Sequence, residues 1–112
     1  MNYINRFGDE LVKDKSIHYD YKIGDVIKKG CIIQVITGLG IYDNQYWTEK
    51  IYEDGCYLSE GNYIFITGLE VIKGKDRDDA IKMYITALED NYTKYPWLKE
   101  ISLKHIECFK SK

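Results

Sequence analysis

Arginine is almost missing from this chain: Arg6 and Arg77 are the only two, beside fourteen lysines. The guanidinium is the side chain that forks onto phosphate or guanine, so its scarcity, with a net charge of −2 and dispersed lysines, argues against a nucleic-acid reader. Cysteine is also sparse. Cys31, Cys56 and Cys108 are odd in number, widely spaced and without a Cys-x-x-Cys pair, which suggests neither a disulfide framework nor a zinc ribbon. Free thiols fit a reducing compartment. No apolar run approaches the roughly 18 residues needed to cross a bilayer. The N-terminus, MNYINRFGDELVKD, carries acids where a signal peptide needs a basic end and an apolar core. A cytoplasmic protein is the expectation.

Motifs of catalysis and phosphate binding are lacking too. Thr37-Gly38-Leu39-Gly40 contains Gly-x-Gly but no third glycine of a dinucleotide fingerprint, and no Gly-Lys-Ser/Thr occurs. His18 and His105 are the two histidines. His105 and Cys108, three apart, are neighbours on a helix but face opposite ways on a strand, and Cys31 sits in an apolar run where a thiol packs as a small hydrophobe. The paired acids Glu53-Asp54 and Asp78-Asp79 suit a turn and a helix start better than an acid and base flanking a substrate. No catalytic, cofactor-binding or metal-ligating residue is therefore assigned, and a non-enzymatic protein is expected.

What the chain does have is a core's worth of apolar residues. At 112 residues, 45% hydrophobic and 30% charged, it has the makings of a single globular domain over residues 1–112. Isoleucine, lysine, tyrosine and asparagine are frequent, amino acids with A- and T-rich codons, as in a low-GC bacterium or its phages.

Ile4, Phe7 and Leu11 have helical spacing, so a short helix is predicted within residues 1–15 despite Gly8. From Ser16 to Ile23 apolar and polar residues alternate, the period of a half-buried strand. Gly24-Asp25 precedes Val26-Ile27, and Lys28-Lys29-Gly30 leads into a β-branched run, Cys31 to Thr37, that reads as a central strand covered on both faces. A strand is predicted from Tyr46 to Tyr52, a turn at Glu53-Asp54-Gly55, a return over Cys56 to Ser59, and further strands at Tyr63–Thr67 and Leu69–Ile72. Asp76 is placed as the cap of a helix running to about Thr93, with Ile81, Tyr84, Ile85, Leu88 and Tyr92 on one face, and Pro96 as its stop. Residues 100–108 are predicted as a last strand, with a helical turn through Leu103, Ile106 and Phe109 as the alternative.

The tetrapeptide Ile-Thr-Gly-Leu occurs at 36–39 and again at 66–69. The match does not extend beyond the immediate flanks, so it marks two strand ends rather than a duplicated unit: in each, glycine lets the chain bend and leucine returns to the core.

Charge is unevenly spread. Residues 41–70 hold six acids against Lys50 alone, a local charge of −5, together with Tyr42, Tyr46, Trp47, Tyr52, Tyr57 and Tyr63. Tyrosine and tryptophan give rigid, amphipathic contact area at low entropic cost. The expected fold is α+β, a strongly bent antiparallel sheet of about five strands tending to an SH3-like barrel, with one helix in the C-terminal half. The expected function is binding to a basic protein partner through Asp43, Tyr46, Trp47, Glu49, Tyr52, Glu53, Asp54, Tyr57 and Glu60. Size and composition are compatible with small phage-encoded inhibitors of bacterial defence enzymes that bind nucleic acid. Two alternatives remain: a small barrel binding single-stranded nucleic acid, if the fold gathers Lys13, Lys15, Lys22, Lys28 and Lys29 into a stripe, and a small enzyme or nucleotide binder.

Overall fold

The computed structural model describes residues 3–6, 10–11, 16–58 and 63–110. Its centre is an antiparallel sheet built from β3 (Val26–Lys29), β4 (Ile32–Leu39), β5 (Gln45–Tyr52), β6 (Gly55–Cys56), β7 (Ile64–Phe65) and β8 (Glu70–Ile72). The order is β6-β5-β4-β3-β8, and β7 pairs with the start of β5 on the edge whose far end carries β6. The β-branched run is therefore the central strand, as expected. Among the described residues no pairing between β6 and β8 closes the sheet into a barrel.

Sequence chemistry accounts for the connections. Lys29 faces Ile32, which leaves Gly30-Cys31 as a two-residue hairpin loop, and Gly30 takes the positive φ of 62° that such loops demand. Cys31 is consequently exposed at the hairpin tip, not packed as a hydrophobe. A β-bulge between Ile36 and Gly38 shifts the register of β4 on β5 and bends the strand. There the chain approaches so closely that a Cβ on Gly38 would lie 3.1 Å from that of Trp47. Gly68, in the second Ile-Thr-Gly-Leu, serves differently: its φ of 72° turns the chain into β8. Both isoleucines, Ile36 and Ile66, are buried in one cluster, with Leu39 and Leu69 packed against it.

Both faces of the sheet are covered. On one, Val26, Val35 and Ile51 pack with Ala80, Tyr84 and Leu88 of α1 (Lys75–Lys94) and with Ile106 and Phe109 of α2 (Lys99–Lys110). On the other, Ile27, Ile36 and Tyr46 pack with Tyr21 and Ile66. Successive residues, Val26-Ile27 of β3 and Val35-Ile36 of β4, thus enter opposite cores, which is why apolar residues stand side by side there instead of alternating with polar ones.

Four expectations need correction. The N-terminal segment forms strands instead: β1 (Tyr3–Ile4) pairs antiparallel with β2 (Glu10–Leu11), Arg6 lies in a turn after β1, and residues 7–9 and 12–15 of the predicted helix lie outside the described residues. Residues 16–23 alternate in burial as predicted yet join no ladder, because side chains take their backbone groups. The amides of His18, Asp20 and Lys22 donate to Asp43 Oδ1 at 2.8 Å, Asn44 Oδ1 at 2.8 Å and Asp25 Oδ2 at 3.0 Å. The amide of Tyr21 donates to the Tyr46 hydroxyl at 2.9 Å. Gly74, not Asp76, occupies the cap position of α1, and Asp76 and Asp78 lie in its first turn, where the helix dipole favours anions. Finally, residues 100–108 form a helix instead of a closing strand. The buried residues Ser102, His105, Ile106 and Phe109 fall at i, i+3, i+4 and i+7, one face of a helix laid against α1.

Candidate interaction surface

The residues singled out between Asp43 and Glu60 do not form one patch. β5 runs eight residues, roughly 25 Å at the usual strand rise, with Asp43 just before it and Glu53-Asp54 just after. Tyr46 and Glu49, both 0% exposed, are withdrawn from any surface. Tyr46 holds the outer core together, accepting the amide of Tyr21 and donating its hydroxyl to Asn44 at 2.9 Å, with the rings of Tyr19 and Tyr21 against its own. Asn44, with a φ of 52°, accepts both that hydroxyl and the amide of Asp20; nothing in the local sequence pattern marks it. Trp47 is half-buried edge-on to Tyr63, ring centroids 5.2 Å apart. Glu60 lies outside the described residues.

Glu49 is buried because Arg6 reaches it. The Arg6 Nε–Glu49 Oε1 distance is 3.0 Å, and the indole Nε1 of Trp47 donates to the same oxygen at 3.2 Å. This charged seam lies under the helices. Nearby, the Tyr84 hydroxyl and His105 Nε2 form a buried hydrogen bond of 2.8 Å. Burial, and after it the Glu49 carboxylate, pushes the Tyr84 phenol well above its ordinary range. Burial, again ahead of Glu49, pushes the Cys56 thiol up to about 12, with Arg6 acting in the opposite direction.

The folded thiol of Cys56 therefore keeps its proton after an unfolded thiol has ionised near 9. Between those values the native state binds more protons than the unfolded one, so this group's contribution to stability declines as pH rises. In native protein at mildly alkaline pH, alkylation followed by mass spectrometry is expected to modify exposed Cys31 and spare Cys56 until the chain is unfolded. Equal rates at the two thiols would contradict the placement of Cys56.

Of these residues, Asp43 is exposed at the start of β5, where its Oδ1 accepts the His18 amide, and the others that remain at the surface lie at the end of the β5–β6 hairpin. Tyr52 and Tyr57 are exposed by 45% and 60%, their ring centroids 6.0 Å apart, and Glu53 and Asp54 are exposed between them. The Tyr57 hydroxyl donates to Asp54 Oδ2 at 3.0 Å, an interaction that raises the phenol's pKa. Beside the hairpin, an open groove of about 410 Å³ runs to α1, lined by Asp54, Cys56, Tyr57, Lys82, Met83 and Asp90. A second groove of about 530 Å³, on the far side of Met83, carries Glu70, Asp76 and Asp79 with Lys28 and Lys73. Acids outnumber lysines in both.

The lysines proposed for a basic stripe are not gathered by the described chain. Lys22 precedes the turn at Gly24, Lys28 lines a groove with three carboxylates, and Lys13 and Lys15 lie outside the described residues. Other exposed aromatics were not among the residues assigned to the contact: Tyr42, counted in the acidic segment, meets Phe65 of β7, and Tyr95 meets Trp97 in the turn between the helices. The signal for the first was present, since Tyr63 to Thr67 is an uncharged apolar strand.

Among polar clusters, His18 Nε2 lies 2.6 Å from Asp20 Oδ1, and Thr67 Oγ1 donates to Asp20 Oδ2 at 2.8 Å. The Thr67 bond, then His18, lowers the Asp20 pKa. Among the described residues no group of three or more His, Cys, Asp or Glu side chains is placed to hold a metal ion, and no helix is long and apolar enough to cross a membrane. No protein-family model matches the chain, and neither a curated protein nor a solved structure is significantly similar to it.

Proposed function

We propose that the protein acts by binding another protein, with the end of the β5–β6 hairpin as the contact and a lysine- and arginine-rich surface as its partner. The observation that carries this is the tyrosine pair. The rings of Tyr52 and Tyr57 meet at a tilt of 50° while both remain exposed, with Glu53 and Asp54 beside them and Asp90 across the groove. Aromatics that stabilise the fold are buried or wedged against a neighbour, as Tyr46 and Trp47 are. Tyr52 and Tyr57 instead present two rigid rings at the exposed end of the hairpin, and tyrosine is enriched among the residues that dominate binding energy. The flanking carboxylates supply charge complementarity, which acts on encounter rate and partner choice. A groove that holds nucleic-acid phosphates is a surface of the matching sign, and occupying it would inhibit the enzyme that owns it.

A photo-crosslinking amino acid at position 57, in bacterial cells, is expected to join the protein to a discrete basic partner, whereas the same group at Lys94 is expected not to. Carried into the parent sequence, Tyr52→Ala and Tyr57→Ala should each weaken that complex by about 2 kcal/mol if the ring is a buried anchor, mainly through faster dissociation. Binding unchanged in both folded variants would place the contact elsewhere.

A further inference from the structure

The far end of β5 carries a second and chemically different surface. Ile41, Tyr42 and Phe65 are exposed by 73%, 59% and 66%, and with Ile17 they line one open depression whose single charged residue, Asp43, holds the His18 amide with its Oδ1. Tyr63 and Ile64 continue it along the sheet edge. Exposed edges are normally guarded by charge, as β8 is by Glu70. From Tyr63 to Thr67 there is none.

The backbone at this edge is aimed outwards. β7 is antiparallel to β5 with Gln45 opposite Phe65, and the Ile66 amide donates to the Asn44 carbonyl at 2.9 Å. In an antiparallel ladder hydrogen-bonded and non-hydrogen-bonded pairs alternate, so Gln45 and Phe65 are a non-hydrogen-bonded pair and the N–H and C=O of Phe65 point away from β5. No strand among the described residues pairs with that outer side of β7.

The geometry points to a twofold pairing of β7 with β7 of a second copy of this chain, antiparallel about Phe65. Each Phe65 N–H donates to the other's carbonyl, and the apolar side chains around it meet their own equivalents. A second copy fits better than a basic partner because the strand is uncharged and self-complementary, the requirement of an isologous interface. The area reaches the lower bound: with fully exposed side chains of these kinds presenting about 150–250 Å² each, the five exposed residues offer roughly 500 Å² per copy, so that two copies bury up to about 1,000 Å², the size of a small, reversible interface. The surface lies at the opposite end of β5 from the tyrosine pair, so a dimer would present two hairpin tips and the two surfaces can be tested separately.

Sedimentation velocity across the micromolar range is expected to give the parent twice the 13.2 kDa mass of one chain at the upper concentrations. Phe65→Lys should sediment as one chain with an unchanged circular dichroism spectrum, and Tyr42→Lys gives the same reading should the first variant fold poorly. Hydrogen exchange at the Phe65 amide should slow as the parent's concentration rises. Tyr57→Ala should leave the dimer intact. A parent of one-chain mass throughout, including one whose β7 edge captures an extended segment of another protein, would overturn the pairing, as would folded lysine variants that remain dimeric.

Discussion

Glutamine in place of Glu49 should lower folding stability by about 3 to 5 kcal/mol, the range for removing one partner of a buried ion pair. The carboxylate is fully buried and the Arg6 side chain only 10% exposed, so loss of the negative charge removes the buried counter-charge that the guanidinium Nε meets at 3.0 Å. The amide oxygen of the introduced glutamine would still accept the Trp47 indole, which separates loss of charge from loss of that hydrogen bond. Replacing both Arg6 and Glu49 by methionine should recover most of the loss, since well-packed apolar side chains often substitute for a buried pair without net cost. A Glu49→Gln variant within about 0.5 kcal/mol of the parent in urea unfolding, the scale of a surface change, would show that the seam is wet and weak.

Leu88→Ala is expected to cost about 2 to 5 kcal/mol, because the side chain is completely buried and its removal leaves a cavity as well as losing transfer energy. Leu88 lies one turn beyond Tyr84 on the buried face of α1, in the cluster that also receives Ile106 and Phe109 from α2. The loss should therefore be global, with an unchanged urea m-value and a lower midpoint. Leu103, 43% exposed on α2, is the control: alanine there should change stability by about 0.5 kcal/mol or less. Comparable losses at the two sites would contradict the packing of the helices on the sheet.

The sheet and α1 were legible in the sequence because their signals are local. β-branched runs bounded by glycine became β3 to β5, and a 3.6-residue period became α1. α2 was hidden because its buried face is partly polar. Ser102 and His105 belong to the inward stripe, and His105 belongs there because Tyr84, 21 residues earlier, offers a hydroxyl. Apolar residues alone, Ile101 and Leu103 among them, imitate a strand. Glu49 misled in the converse way: a carboxylate between Thr48 and Lys50 reads as surface, and its burial rests on the guanidinium of Arg6, 43 residues away, together with the Trp47 indole. Residues 16–23 carry a strand's alternation without its ladder because Asp43, Asn44 and Tyr46 intercept the backbone amides, and no local pattern records that. Within the acidic aromatic segment, composition was readable, but its division into a buried middle and two exposed ends needed the register.

That division also decides which charges can be used to test binding. Glu49 cannot be reversed without breaking the fold, whereas Glu53 and Asp54 are exposed at the hairpin tip. The most direct test is the association rate of the crosslinked partner with parent protein and with a Glu53→Lys, Asp54→Lys double variant, measured at low salt and again at physiological ionic strength, where charges are screened within about 8 Å. The expected result is a parent that associates fastest at low salt and slows as salt rises, and a folded variant that associates slowly and with little salt dependence. A folded variant that associates as fast as the parent at both ionic strengths would contradict binding through the hairpin tip.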